Sequence, residues 1–215
     1  GSLGAYSHLA ALKVYPDAEI VPCKTFDECF SKADDDDKVR IVIPESNRIT
    51  GNIGVEYLIF KYRLNIYAEH FHSIQHHLLG LPGAKLKDIK NVFSHAQALS
   101  QSSLFIKKNS LIENVRADTA GSAKYISDNK NKSEAAIASD LSAKIYNLDI
   151  IESNIENEKV NITRFLIMGK KILQPELNNQ KYITSFLFKL KSKPAALYSA
   201  LSGFAIQGVN LTKLQ

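Results

Sequence analysis

The sequence predicts an α/β protein with mostly parallel sheets. Three observations carry this. Short apolar runs of strand length alternate with helical stretches along most of the chain. Polar clusters at Gly1–Ser7, Pro44–Gly51, Ser94–Gln101 and Asp118–Ser122 fall where strands end and helices begin. In such sheets ligands sit beyond the strand ends, at helix N-termini. The composition is that of a folded globular chain, 45% apolar and 23% charged over 215 residues. That length suits one or two domains of about 150 residues.

Residues 5–15 follow a glycine turn and read as a helix, with Leu9, Leu12 and Val14-Tyr15 as its apolar stripe. Glu19–Pro22 reads as a short strand. Thr25 is a candidate N-cap with Glu28 three residues on, opening a helix through Phe26, Cys29, Phe30 and Ala33. The run Asp34–Lys38 looks like an engineered protease-recognition tag, but a solvated acidic turn before a strand is the favoured reading. Val39–Ile43 is a strand, stopped by Pro44. Residues 55–62 read as a helix, 65–72 as a strand and 73–81 as another strand, before a Pro82-Gly83 turn.

Val92-Phe93 is a strand, and His95 opens a helix reaching Lys108. Val115 ends a strand. Asp118-Thr119 caps a helix through Ile126. Ala135–Ala138 is a buried strand with a helix after it through Tyr146. Leu148–Ile151 and residues 161–168 are strands. Leu173–Lys181, with Pro175 and Asn178-Asn179-Gln180, is a linker. Beyond it the pattern is strand 182–190, helix 194–207 begun by Pro194, and strand 209–214. A βαβ piece this short cannot bury a core of its own.

The net charge of +5 and pI near 9.0 suit anionic small molecules or nucleic acid. No basic run is interleaved with aromatics, so a nucleic-acid surface is not expected. Cys23 and Cys29 are the only cysteines and cannot form a zinc site. Two thiols and no signal peptide point to the cytoplasm. No window approaches the ~18 apolar residues a membrane helix needs.

His70-x-His72 and His76-His77 have metal-ligand spacing, but only Glu69 supports them, and they read as surface or hydrogen-bonded histidines. No nucleophile elbow or Walker loop is present. Asn47, Arg48, Thr50 and Gly51 could hold an anion, as many loops could. In Asn161-Ile162-Thr163-Arg164-Phe165, the arginine can pair a carboxylate while the threonine hydroxyl bonds a neighbouring oxygen. An ordinary edge strand with a surface arginine explains the same segment equally well.

Six segments in order resemble the prephenate dehydratase family. They are Gly1-Ser2-Leu3-Gly4-Ala5-Tyr6-Ser7, Cys23-Lys24-Thr25-Phe26, the Ser-His-x-Gln-x-x-x-Gln of Ser94–Gln101, Asp118-Thr119-Ala120, Ala135-Ala136-Ile137, and Asn161–Phe165 with its Asn-x-Thr-Arg-Phe signature. Residues 182–215 resemble the first half of an ACT regulatory domain. There Lys193-Pro194-Ala195-Ala196-Leu197 stands for the family's Gly-Ala-Leu-Val, and Asn210-Leu211 opens its second strand. The family's first strand would precede Gly1 and its Glu-Ser-Arg-Pro motif would follow Gln215, so the chain reads as trimmed at both ends.

The resemblance implies a two-lobed catalytic domain over 1–175, similar to type II periplasmic-binding-protein folds, with a second subdomain at about 75–155. A partial ferredoxin-like ACT domain (βαββαβ when complete) follows over 181–215. It implies decarboxylating dehydration of prephenate to phenylpyruvate, in phenylalanine biosynthesis, without a cofactor or metal. Thr163 would assist the leaving hydroxyl. Gly4, Ala5, Tyr6, Ser7, Asn47, Ser94, His95, Gln97, Gln101, Thr119, Ala120, Asn161, Arg164 and Phe165 would bind substrate.

Pro194, Ala195, Ala196, Leu197, Asn210 and Leu211 would contribute to an allosteric phenylalanine site. The half-length ACT segment should give little or no response to phenylalanine. A homodimer or homotetramer is implied, with neither nucleic acid nor membrane as partner. Arogenate, with an amino group in place of the keto group, is the alternative substrate. A non-catalytic anion or amino-acid binder on the same scaffold is the alternative class.

One departure bears on this. The family's Pro-x-Glu-Asn-Ser-x-x-Gly is here Pro44-Glu45-Ser46-Asn47-Arg48-Ile49-Thr50-Gly51. Ser46 takes the glutamate position and Arg48 the serine position. Glu45, one residue early, is expected on the other face of its strand. Ser102 stands where the family commonly has cysteine.

Overall fold

The computed structural model describes residues 1–174, 182–185 and 187–212. The chain divides into two compact units, Gly1–Glu176 and Leu177–Gln215. The first unit is built on two sheets. One has four strands in the order β2 (Gly51–Asn52), β1 (Ile41–Asn47), β9 (Ile162–Gly169), β3 (Asn65–Ser73). The other has five, in the order β6 (Ile112–Val115), β5 (Asn91–Ser94), β7 (Glu134–Ala138), β4 (His77–Gly80), β8 (Asp149–Glu152).

The chain is α/β, but its sheets are not mostly parallel as expected. Every pairing in the first sheet is antiparallel. In the second, β5 runs parallel to β6 and β7, while β4 runs antiparallel to β7 and β8. The reason is the chain path. It leaves the first sheet after β3, builds the second, and returns to insert β9 between β1 and β3. No local pattern in the sequence encodes that return.

Helices α1 (Tyr6–Val14), α2 (Phe26–Asp35) and α3 (Glu56–Tyr62) belong to the first lobe. The Thr25 hydroxyl accepts from the Glu28 amide at 3.1 Å, and the Glu28 carboxylate accepts from the Lys24 amide at 2.7 Å. This is the expected capping exchange displaced by one residue.

Helices α4 (Ala96–Gln101), α5 (Ser103–Lys108), α6 (Thr119–Asn129) and α7 (Asp140–Ile145) clothe the second sheet. Strand alternation divides its core into two layers. Leu78, Ala135 and Ile137 face Leu99 and Ile106, and Leu79, Ala136 and Ala138 face Ala123, Ile126 and Ala143.

Other expectations are corrected in detail. Residues 19–22 form no strand, because nothing pairs with them among the described residues. Pro44 does not stop its strand. It sits beside a β-bulge in the β1–β9 ladder, where a residue lacking N–H is tolerated. The strand expected over 73–81 is confined to His77–Gly80, because residues 74–76 carry the chain between lobes. The helix expected from His95 to Lys108 breaks at Ser102, which caps α4 and opens α5.

In the second unit, α8 (Ala196–Ile206) follows a turn holding Pro194, with Ala195 at φ +61°. Pro194 therefore precedes the helix rather than beginning it. Residues 182–185, 187–190 and 209–212 are not strand, since none finds a ladder partner among the described residues. The expected strands at 182–190 and 209–214 are corrected to that extent. Phe186 and residues 213–215 lie outside the described residues, as does most of the linker. Among the described residues, no helix is long and apolar enough to cross a membrane.

Candidate active site

Two chain segments link the lobes. Ile74–His76 leads from β3 to β4, and residues 153–161 lead from β8 back to β9. They are bonded to each other. Ile74 N donates to the Asn161 carbonyl at 2.7 Å, and Ile155 N to the His76 carbonyl at 2.9 Å. The His76 amide also donates to Glu156 Oε2 at 2.9 Å. The N-terminal loop makes a third junction. Gly4 O accepts from Ser139 Oγ at 2.6 Å and Ser142 Oγ at 3.0 Å, and Leu3 O accepts from Tyr146. Gly4 has φ +88°, and a Cβ there would lie 2.6 Å from Ser142 Oγ.

Beside these links, Asn47 at the end of β1 stands opposite Thr163 in β9. Asn47 Oδ1 accepts from the backbone N–H of Ile49 at 2.9 Å and of Thr50 at 3.1 Å. A backbone N–H can only donate, so these two bonds fix which end of the amide is oxygen. Asn47 Nδ2 must then donate its two protons, one to Asn161 Oδ1 at 2.8 Å and one to Thr163 Oγ1 at 2.9 Å. Thr163 thus accepts and keeps its own proton free to donate.

The polarity propagates. With Asn161 Oδ1 held by Asn47, Asn161 Nδ2 donates to Gln101 Oε1 at 3.0 Å. The second contact of that oxygen is His76 Nε2 at 2.9 Å, which must carry a proton. The other ring nitrogen, His76 Nδ1, is 2.7 Å from the Tyr6 hydroxyl, which is also 2.7 Å from the Gln75 carbonyl. Asn161 and His76 are almost wholly buried. Burial holds the His76 imidazole below its usual pKa, and burial with Glu156 and Asp140 nearby pushes the Tyr6 phenol well above its own.

Strand alternation puts Arg164 on the opposite face of the sheet from Thr163. There its Nε donates to Glu69 Oε2 at 2.7 Å and its Nη1 to Glu45 Oε2 at 3.2 Å. The bulge explains Glu45. Pro44 pairs with Phe165 and Ser46 with Arg164, so Glu45 is the extra residue. Ser46 Oγ donates to Glu45 Oε2 at 2.6 Å. Glu45 is thus on the Arg164 face, and the same bulge brings Asn47 into register with Thr163.

On the Thr163 face, β3 places His72 directly across from Thr163 and His70 across from Phe165. The His72 ring meets Phe165 edge-on at 6.4 Å. Burial, with His70 and Lys13 nearby, lowers its pKa. A cleft of about 270 Å³ opens beside this network, lined by Ile49, Thr50, Gln97, Gln101, Glu156 and Asn161 among others. This lining can orient a small polar substrate, and Asn161 in it is connected through Asn47 to Thr163.

The family model for prephenate dehydratase matches residues 1–172. The chain belongs to the prephenate dehydratase family. It is 38% identical to arogenate dehydratase 2 of Petunia hybrida over 216 aligned residues, covering all of this chain and 55% of that protein. It is 33% identical to a bifunctional N-acyl-homoserine lactone acylase/prephenate dehydratase of Komagataeibacter europaeus, covering all of this chain and 77% of that one. In fold it resembles the prephenate dehydratase of Arthrobacter aurescens solved in complex with L-Phe. The TM-score is 0.86 at 23% identity, over all of this chain and 73% of that one.

Within this family member, the residues expected at the site do not all meet. Tyr6, Asn47, Gln101, Asn161 and Thr163 form one connected network. Gln97 lines the cleft. Gly4 holds the N-terminal loop to α7, and the Ala5-Tyr6-Ser7 segment opens α1. His95 caps α4 by accepting from the Gln97 amide. Asp118 caps α6, so Thr119 and Ala120 begin that helix.

Ser94 stands apart, fully buried with its hydroxyl on the Ile137 carbonyl at 2.6 Å. Phe165 is core, and Arg164 is on the far face. His76 and Glu45 were not singled out for the site. His76 was expected as a surface or hydrogen-bonded histidine and is the latter, and among the described residues no group of three His, Cys, Asp or Glu could hold a metal ion. Glu45 depends on a bulge that the sequence does not announce.

Proposed function

We propose that this chain is a dehydratase acting on prephenate. In that reaction the bond to the ring carboxylate breaks and CO2 leaves. Its electron pair enters the ring, and the ring hydroxyl departs as water with one added proton. Phenylpyruvate remains. Aromatisation supplies most of the driving force, so the protein needs to orient the substrate and ease the departure of the hydroxyl.

The observation that carries this reading is the Asn47 amide on Thr163 Oγ1 at 2.9 Å. It leaves the threonine proton to point at the leaving oxygen and stabilises the charge that develops on Oγ1 as the proton shifts. A threonine is a weak acid, so this fixed dipole contributes more than proton transfer alone. The Tyr6 and Ser7 N–H groups opening α1 are offered to a substrate carboxylate, since no side chain caps that helix, whereas those of Gly4, Ala5 and His8 are bonded within the loop and first turn. The free thiols Cys23 and Cys29 suit a reducing cytoplasm.

Arogenate is the second reading. Glu156 and Glu158 line the cleft, and a carboxylate pair favours a substrate carrying an ammonium group over one carrying a keto group. The relatives include proteins named for either substrate. The test is turnover of both by the purified chain, prephenate read by the ultraviolet absorbance of phenylpyruvate in alkali and arogenate by released phenylalanine. The larger kcat/KM names the substrate, and turnover of neither overturns the enzyme reading.

We also assign phenylalanine binding to the second unit, Leu177–Gln215, where Pro194–Leu197 form the turn and first residues of α8. Calorimetric titration with phenylalanine tests this. Binding without a change in turnover is the expected result for a half-length segment, and a null titration overturns the assignment.

A further inference from the structure

We infer that His76, with Tyr6 behind it, is a positioning residue for Thr163: its Nε2–H holds Gln101 and, through Gln101, Asn161 and Asn47, fixes where the threonine hydroxyl points. The inference rests on the role proposed for Thr163. Its basis is that only one arrangement of donors satisfies the contacts that run from the Ile49 and Thr50 amides to His76 Nε2. The backbone N–H groups of Ile49 and Thr50 orient Asn47. Asn47 orients Asn161, and Asn161 orients Gln101. Gln101 Oε1 then has two donors, Asn161 Nδ2 at 3.0 Å and His76 Nε2 at 2.9 Å.

Without the imidazole, Gln101 would keep a single partner and regain rotamer freedom. Asn161 and then Asn47 would loosen in turn. Tyr6 holds the far side of the ring, 2.7 Å from Nδ1 and packed edge-on with centroids 5.6 Å apart. His76 also lies in the link between lobes, so the same ring that holds Gln101 is tied to the segment from 153 to 161 through Glu156.

The groups facing His76 are Tyr6 from α1, Gln101 from α4, Glu156 from the returning link and His77 beside it. Nε2 carries a proton in both the required neutral tautomer and the imidazolium. The orientation of Gln101 therefore survives titration of His76, whereas an Nδ1–H tautomer would break it.

The test joins spectroscopy on the unaltered chain with kinetics on two variants. Nitrogen NMR of ¹⁵N-histidine-labelled protein at neutral pH should show His76 protonated at Nε2 and bare at Nδ1. His76→Leu should lower kcat on prephenate by about tenfold or more, with KM within about threefold. His76→Gln offers a carboxamide N–H near the Nε2 position and should recover kcat to within about threefold of the parent.

An Nδ1–H tautomer overturns the inference. So does His76→Leu with kcat within about twofold of the parent, or His76→Gln no better than His76→Leu. If His76→Leu does not fold, the tautomer and the glutamine variant still decide. If the parent turns over neither prephenate nor arogenate, the proposed function fails, while the tautomer still decides where the proton sits.

Discussion

Asn47 Nδ2 donates to Thr163 Oγ1 across the β1–β9 ladder at 2.9 Å, and the direction of that bond is set by two backbone amides. Among the described residues the Thr163 hydroxyl accepts this bond and donates none. Thr163→Val keeps the shape and removes the hydroxyl. It should lower kcat by roughly 10²-fold or more while leaving the circular dichroism and urea midpoint near the parent's. A loss under about threefold would remove Thr163 from the chemistry.

Arg164 and Glu45 make a different kind of claim. Their side chains are only 16% and 8% exposed, with Glu69 at 29% completing the cluster. Removing the guanidinium would take the ion pair with Arg164 away from the buried Glu45 carboxylate. Arg164→Ala should therefore destabilise the fold by about 3 kcal/mol in urea denaturation. Adding Glu45→Ala should recover part of that loss, because the buried carboxylate that lost its guanidinium is gone. An Arg164→Ala variant with parent stability and a raised KM would instead put the arginine on the substrate.

Legibility followed the range of the signal. The helix starts at Thr25, His95 and Asp118 were readable because each cap is local. The two-layer core around Ala135–Ala138 was readable as a buried strand. Thr163 and Asn47 were readable through motifs, but their contact depends on β9 returning between β1 and β3. Nothing within either segment states that.

The period of two in strands was sufficient to separate Thr163 from Arg164 onto opposite faces, and it also puts Phe165 with Thr163. The site of Glu45 was half legible: its face was expected, but the bulge that places Asn47 was not. His76 was legible as a hydrogen-bonded histidine, but histidine spacing says nothing of its partners, which come from α1, α4 and the second link between lobes.

Gly4 joins the first helix to α7, and its backbone makes alanine unfavourable twice. Its φ is +88°, and an added Cβ would meet Ser142 Oγ at 2.6 Å and Ser142 Cα at 3.0 Å. Gly4→Ala should cost about 1–3 kcal/mol in urea denaturation and raise KM, because the N–H groups opening α1 would shift. Gly83 also has positive φ, but nothing lies within 4 Å of its Cβ position. Gly83→Ala should be the milder change and leave KM alone. Equal effects at both positions would show that backbone strain alone, and not the contact with α7, matters at Gly4.

Four histidines, His8, His72, His76 and His77, all have pKa values lowered from 6.5, with burial the largest cause in each. Asp140 opposes the shift at His72 and His77, Glu156 opposes it at His76 and His77, and His70 and Lys13 add to it at His72. The unfolded chain therefore binds protons to these rings at a higher pH than the folded one. Their contribution to stability is fully present above the unfolded value of about 6.5 and is lost as the pH falls through it toward the folded values. The urea midpoint should be level from about pH 8 to 7 and fall between about pH 6.5 and 5, above most of the carboxylate range. Replacing His77 by glutamine should make that fall shallower, since one of the four groups no longer titrates. A midpoint that stays level down to pH 5 would mean that these rings accept protons as readily in the folded chain as in the unfolded one.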